Sequence, residues 1–225
     1  MQSAPPAKLA LDDGTIFSGH AFGDLTPRSV DGEVCFNTSL SGYQEILTDP
    51  SYAGQIITMT YPLIGNYGVN DMDTESAQVH AAGFIVRELS NRHSNFRATD
   101  PLGTWLRAKK ITGISGIDTR ALTRKLRVQG AMNGVLSTEE KLSDGELVER
   151  ARQARGLVGR NLAGQVSRHE ATRWDDDLGQ WLPIQGHLEP PSKRFQVVAI
   201  DCGAKLNILR NLVDSGCNVT VVPFD

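Results

Sequence analysis

The stretch from Phe195 onward, "FQVVAIDCGAKLNILRNLVDSGCNVTVVPFD", constrains the fold more than any other. An apolar, β-branched run at 196–201 reads as a buried strand. Leu206, Leu209 and Val213, with Ile208 and Leu212 beside them, recur at helical spacing over about 204–215, and Gly216 supplies a stop. A second apolar run follows at 218–223. Two strands joined through a helix run parallel in one sheet, because parallel neighbours need a crossover. Strands apolar on both faces need cover on both, and two strands with one helix supply too little of it. The pattern therefore predicts the first βαβ unit of an α/β domain that continues past Asp225.

The residues before it are organised differently. "KLALDDGTIFSGHAFG" places two alternating runs around Asp13-Gly14, a hairpin turn pair, and "GEVCFNTS", "QIITMTYP" and "GFIVREL" read as further strands. Helical signals begin at Asp100-Pro101, read as N-cap and first helical residue of "LGTWLRAKK". "ITGISGI" is a strand. "DTRALTRKLRVQG" is a helix capped by Asp118 and stopped at Gly130, and Ser143 with Glu146 predicts a capping box for "SDGELVERARQAR". Strands first and helices later predict an α+β domain over residues 1–165. Residues 166–194 carry the acids Asp175, Asp176 and Asp177 and the breaker Pro190-Pro191 without hydrophobic periodicity, and read as a linker before the unit at 195–225.

An apolar fraction of 40% with 22% charged residues suits a globular chain. The net charge of −3 offers no general attraction to nucleic acid or anionic lipid. Arg120, Arg124 and Arg127 fall at i, i+4 and i+7 on one side of a helix, with Leu122 and Leu126 on another, and read as a solvated helix face. The 3 cysteines, Cys35, Cys202 and Cys217, lack metal-ligand spacing, no phosphate-loop motif is present, and no apolar run approaches a membrane span. These features predict a cytoplasmic protein with no metal, no cofactor of its own, no nucleic acid and no membrane among its partners.

In "GYQEILTDPSYAGQIITMTYP" a polar, turn-rich segment meets an apolar strand at Asp49-Pro50-Ser51. Two readings stand: Asp49 and Ser51 bond only their own backbone around a proline turn, or the Ser51 hydroxyl, able to donate and accept, is presented to a ligand. "IGNYGVND" reads as a pair of glycine turns, and His80 in "AQVHAAG" as a packed histidine.

"FNTSLSGYQEILTDPSYAGQIITMTYPLIGNYG", "DTESAQVHAAGFIVREL", "SNFR", "ISGIDTRALTRKLR" and "DCGAKLNILRNLVDSGCNVTVVP", in that order, resemble the small, glutamine-hydrolysing subunit family of carbamoyl phosphate synthase. The resemblance implies a layered β/β/α N-terminal domain that docks on a large synthetase subunit, followed by the start of a class I glutamine amidotransferase domain. It implies glutamine hydrolysis through a cysteine thioester, with ammonia channelled to the large subunit, where ATP and Mg and bicarbonate are expected. It also implies that Ser51 contacts glutamine. The family's cysteine lies in a G-x-C-x-G elbow with a later histidine and glutamate, and no such elbow occurs here. The 225 residues are therefore expected to be inactive by themselves and to have no catalytic residue. Cys202, like Cys217 and Cys35, is read as packing. The alternative is a non-catalytic docking module for the large subunit.

Overall fold

The computed structural model describes residues 4–179 and 194–225. These form two compact units, Met1–Val158 and Gly159–Asp225. In the first, β1 (Pro6–Leu11), β2 (Ile16–Gly23), β3 (Ser29–Asn37), β4 (Gln55–Met59), β6 (Gly83–Ile85), β8 (Thr112–Ser115) and β9 (Met132–Ser137) close into a barrel, with β5 (Leu63–Ile64) and β7 (Glu88–Leu89) as a separate parallel pair. Around the barrel the order is β1-β2-β8-β6-β4-β3-β9. Pairing is parallel for β3–β4, β4–β6 and β6–β8 and antiparallel for the rest, so the sheet is mixed. The helices of this unit are α1 (Tyr43–Thr48), α2 (Leu102–Ala108), α3 (Thr119–Gln129) and α4 (Asp144–Gln153). The α+β expectation describes this content. In place of layered sheets, however, the main strands form one closed sheet, which leaves no open edge to protect.

One cluster of buried residues draws on every barrel strand: Leu9 and Leu11 of β1, Ala21 of β2, Val34 of β3, Ile56 of β4, Ile85 of β6, Ile114 of β8, and Met132 and Leu136 of β9. Only the inner face of a closed sheet can bring all seven strands together, so this is the barrel interior. Leu122 and Leu126 of α3 join it, which places that helix over one mouth. Alternate residues point outward: Phe22, Ile57, Met59 and Phe84 pack under α1 and α2, and Ala10 and Val135 under α4. Strands buried on both faces explain why "QIITM" reads as a continuous apolar run. Each fully buried large aliphatic side chain contributes roughly 1.5–3 kcal/mol of transfer free energy.

The expected caps hold for two helices. Asp118 accepts from Ala121 N at 2.9 Å, and Ser143 and Glu146 form the reciprocal capping box. Gly130 has φ 91° and ends α3, its ψ of −173° sending the chain out extended into β9. At α2 the expectation fails by one residue. Pro101, extended at ψ 144°, is the N-cap, because the Asp100 carbonyl accepts from Val69 N in a bridge between the two segments.

The second unit contains α5 (Ala163–Val166), β10 (Thr172–Trp174), β11 (Phe195–Asp201), α6 (Leu206–Asp214) and β12 (Cys217–Pro223). The strand–helix–strand pattern is as the sequence predicts, with β11 and β12 parallel and in register from Phe195–Cys217 to Asp201–Pro223. The stretch read as a linker contributes β10, which pairs antiparallel with the free edge of β12. Its residues 180–193 lie outside the described residues. Leu209, Cys217, Val219 and Val221 form the core of this unit.

Candidate functional site

The Asp49-Pro50-Ser51 corner is a short 3-10 turn, Pro50–Tyr52, between α1 and β4. Asp49 is buried and accepts from Ser51 N at 2.9 Å, which fixes the turn. The Tyr52 hydroxyl accepts from Asn37 Nδ2 at 2.9 Å and ties the corner to β3. From the other side, the segment 75–80 clasps the end of α1: Thr48 Oγ1 accepts from Glu75 N at 2.9 Å, Ser76 Oγ donates to the Thr48 carbonyl at 2.6 Å, and His80 N donates to the Leu47 carbonyl at 3.0 Å. Proline and four tethers hold the backbone, while the Ser51 side chain is exposed with no hydrogen-bond partner for its hydroxyl among the described residues. A rigidly mounted, unengaged hydroxyl can donate to one ligand atom and accept from another.

Chemistry at that hydroxyl is limited by its surroundings. His80 Nε2 is 3.1 Å from Ser76 Oγ, and no hydrogen bond joins it to Ser51, so the serine lacks an activating base. Burial pushes the imidazole below its ordinary value, with Asp49 opposing, so His80 is held neutral. The corner therefore shows no arrangement for nucleophilic catalysis at Ser51.

Behind it, α1 begins at Gly42, whose φ of 82° requires glycine and which offers no side chain to the helix N-terminus. The cap comes from "IGNYGVND": the Tyr67 hydroxyl accepts from Gly42 N and Tyr43 N, and the two tyrosine rings stack at 4.2 Å. Tyr43 donates its own hydroxyl to the Gly68 carbonyl at 2.6 Å. Burial raises both phenols, Tyr67 to about 12, which keeps them protonated. The glycine-turn reading of this motif is correct at Gly65 and Gly68, with φ 91° and 71°.

None of the cysteines is set up as a nucleophile. Burial, with Glu33 adding to it, pushes the Cys35 thiol to about 12. Cys217 is buried in the core of its unit. Cys202 is exposed, which corrects its reading as a packed side chain: Asp201 turns the chain outward at the end of β11. That carboxylate takes the N–H groups that follow it, Gly203 and Ala204 at 2.9 Å each, together with Arg168 N at 3.0 Å and Nε at 3.3 Å. The Gly203 and Ala204 N–H groups, the first donors after Cys202, are therefore already engaged and not free to stabilise an oxyanion. Among the described residues, no group of three or more His, Cys, Asp or Glu side chains is placed to hold a metal ion, and no helix is long and apolar enough to cross a membrane.

A second concave feature lies along α3. A groove of about 700 Å³ is lined by Arg120, Arg124 and Arg127 of the helix, by Arg87, and by Thr38, Thr60 and Pro62 from the ends of β3 and β4. The arginine stripe was legible as a solvated face. Arg87, which joins it from the turn before β7, was not, because only closure of the barrel brings it there.

Comparison with known proteins resolves the ancestry. The sequence pattern of the carbamoyl-phosphate synthase small chain, CPSase domain, matches residues 9–136. The chain is 52% identical over 218 residues to the carbamoyl phosphate synthase small chain of Syntrophotalea carbinolica. It is 50% identical over 217 residues to that of Akkermansia muciniphila, and 50% over 221 to that of Escherichia coli K12. The chain belongs to the carbamoyl phosphate synthase small chain family. Each alignment covers 96% of this chain and 56% or 57% of the relative, so the chain spans little more than half the length of these curated relatives. The family pattern runs from β1 into β9 and contains both the Ser51 corner and the arginine groove. Coverage of 96% of the chain by the aligned relatives extends the resemblance beyond β9 into the second unit.

Proposed function

We propose that this chain acts as part of a glutamine-dependent carbamoyl phosphate synthase small chain, in which Ser51 contacts the glutamine whose amide nitrogen is released as ammonia. The reading is carried by identity of about half the residues over 96% of the chain to proteins named carbamoyl phosphate synthase small chain. The unengaged Ser51 hydroxyl on its tethered turn supports the glutamine contact. The parallel strand–helix–strand at 195–225 is the start of the amidotransferase domain, and the barrel unit docks on the large synthetase subunit. Ammonia passes to that subunit, which binds ATP and Mg and consumes bicarbonate. The nucleophile of the glutaminase step is none of Cys35, Cys202 and Cys217, and the 225 residues alone do not hydrolyse glutamine. The assembly works in the cytoplasm.

The test is to produce the full-length small chain together with its large subunit and compare carbamoyl phosphate formation from glutamine and from ammonium salts. The reading predicts that glutamine use requires the small chain, and that the large subunit alone retains ammonia-dependent synthesis. Glutamine use by the large subunit alone would contradict it.

A further inference from the structure

The groove along α3 concentrates positive charge that the fold itself does not use. Eight ion pairs among the described residues engage Lys8, Arg28, Arg97, Lys125, Arg150, Arg152, Arg168 and Arg173. The groove arginines Arg87, Arg120, Arg124 and Arg127 appear in none of them, although acids outnumber bases in the sequence, 26 to 23. The acid in the lining, Asp118, spends its side chain on Ala121 N as the cap of α3.

The placement costs stability. Arg120 sits in the first turn of α3, where the helix dipole disfavours a cation, and the acid at that end is the capping carboxylate of Asp118. Arg124 and Arg127 follow on the same side, so the three guanidiniums span about 10 Å of helix and repel one another. A merely solubilising face would serve as well with lysine. The lysine on this helix, Lys125, lies on the other flank and pairs with Asp13. Four arginines facing one concavity are instead suited to paired, planar recognition of acidic oxygens. Thr38, Thr60 and Thr123 bring hydroxyls to the same lining. The groove volume of about 700 Å³ lies within the range of small-molecule sites, roughly 300–1,000 Å³.

We propose that this groove binds a small polyanion carrying at least two acidic oxygen groups, phosphate or carboxylate. One acid group sits between Arg120 and Arg124 and another reaches Arg127 and Arg87 across the cleft. The ligand removes the mutual repulsion of the arginines, so its binding also stabilises the barrel unit.

Isothermal titration of the chain with sodium pyrophosphate, and separately with citrate, tests this at low and at physiological ionic strength. The expected result is saturable one-to-one binding that weakens with salt. Arg124→Ala should weaken it by roughly tenfold or more, because charge-assisted bonds are lost. Arg120→Ala combined with Arg124→Ala should abolish it, with the circular dichroism spectrum unchanged. Lys125→Ala, on the opposite flank, should leave affinity intact, and Arg124→Gln provides a second probe if the alanine variant misfolds. Binding of either anion supports the site, and the ratio of the two affinities tells whether phosphate or carboxylate is preferred. No saturable heat with either anion, or binding unchanged by Arg124→Ala, would overturn it. A glutamate-rich peptide that binds more tightly than both anions would also overturn it, making the groove a docking surface for an acidic protein segment.

Discussion

β4 in the barrel unit and β11 in the C-terminal unit are both short runs of β-branched and apolar residues, yet their side chains meet different fates. Ile56 and Ile57, on opposite faces of β4, are both 0% exposed, one inside the barrel and one under the helices. Val198 and Ile200, on one face of β11, are 67% and 64% exposed, while Val197 and Ala199 on the other face pack with α6. Similar sequence therefore has different energetic weight. A closed sheet with helices outside it covers both faces, whereas in the three-stranded sheet α6 covers one.

If this contrast is right, substitutions should separate the two units by size of effect. Phe84→Ala removes a fully buried ring packed edge to face with Phe22 at 6.5 Å, and should cost about 3–5 kcal/mol in denaturant unfolding of the barrel unit. A loss below about 1 kcal/mol would mean that the barrel is far less tightly packed than its burial implies. In the C-terminal unit the larger effect should come from a polar anchor. Asp201→Asn weakens the hold on Arg168 and on the turn after β11, and should cost about 1–3 kcal/mol.

That anchor also gives the unit an acid-sensitive limb. Burial alone would raise the Asp201 carboxyl, but the N–H groups of Ala204, Arg168 and Gly203, with the Arg168 guanidinium, bring it below its ordinary 3.8. Its stabilisation is therefore complete above the unfolded value and is lost as pH falls through the lower folded one. Asp201→Asn should flatten the acid limb of this unit's stability profile. An unchanged limb would remove Asp201 from the account. Smallest of all, Ile200→Thr on the exposed face should change stability by no more than about 0.5 kcal/mol. A larger loss would show that this face is covered in solution.

Legibility in the sequence followed how local the cause was. The Asp13-Gly14 hairpin, the Ser143–Glu146 capping box and the strand–helix–strand from Phe195 rest on residues a few positions apart, and each forms as read. β9 escaped notice because Gly134 breaks its pattern. It is a strand because Gly134 passes against Val34, where an added Cβ would lie 2.5 Å from a methyl carbon. α1 escaped because its cap, Tyr67, lies far along the chain from Gly42. At the candidate site, Ser51 was found through resemblance, with a local turn as the competing reading. The local turn is present, since Asp49 accepts from the Ser51 N–H, and the hydroxyl has no hydrogen-bond partner among the described residues, while its contact with glutamine is the proposal. The arginine stripe was visible as spacing, but its conversion into a groove with Arg87 depends on barrel closure.

The claim that matters most for function is that the Ser51 hydroxyl meets glutamine. The direct test is steady-state kinetics of Ser51→Ala in the full-length small chain bound to its large subunit, with glutamine and ammonia as alternative nitrogen donors. Loss of one hydrogen bond, about 1 kcal/mol, predicts a roughly fivefold fall in kcat/KM for glutamine. Ammonia-dependent synthesis should be unchanged. Equal kcat/KM for glutamine in the two proteins, or a parallel loss with both donors, would contradict the assignment.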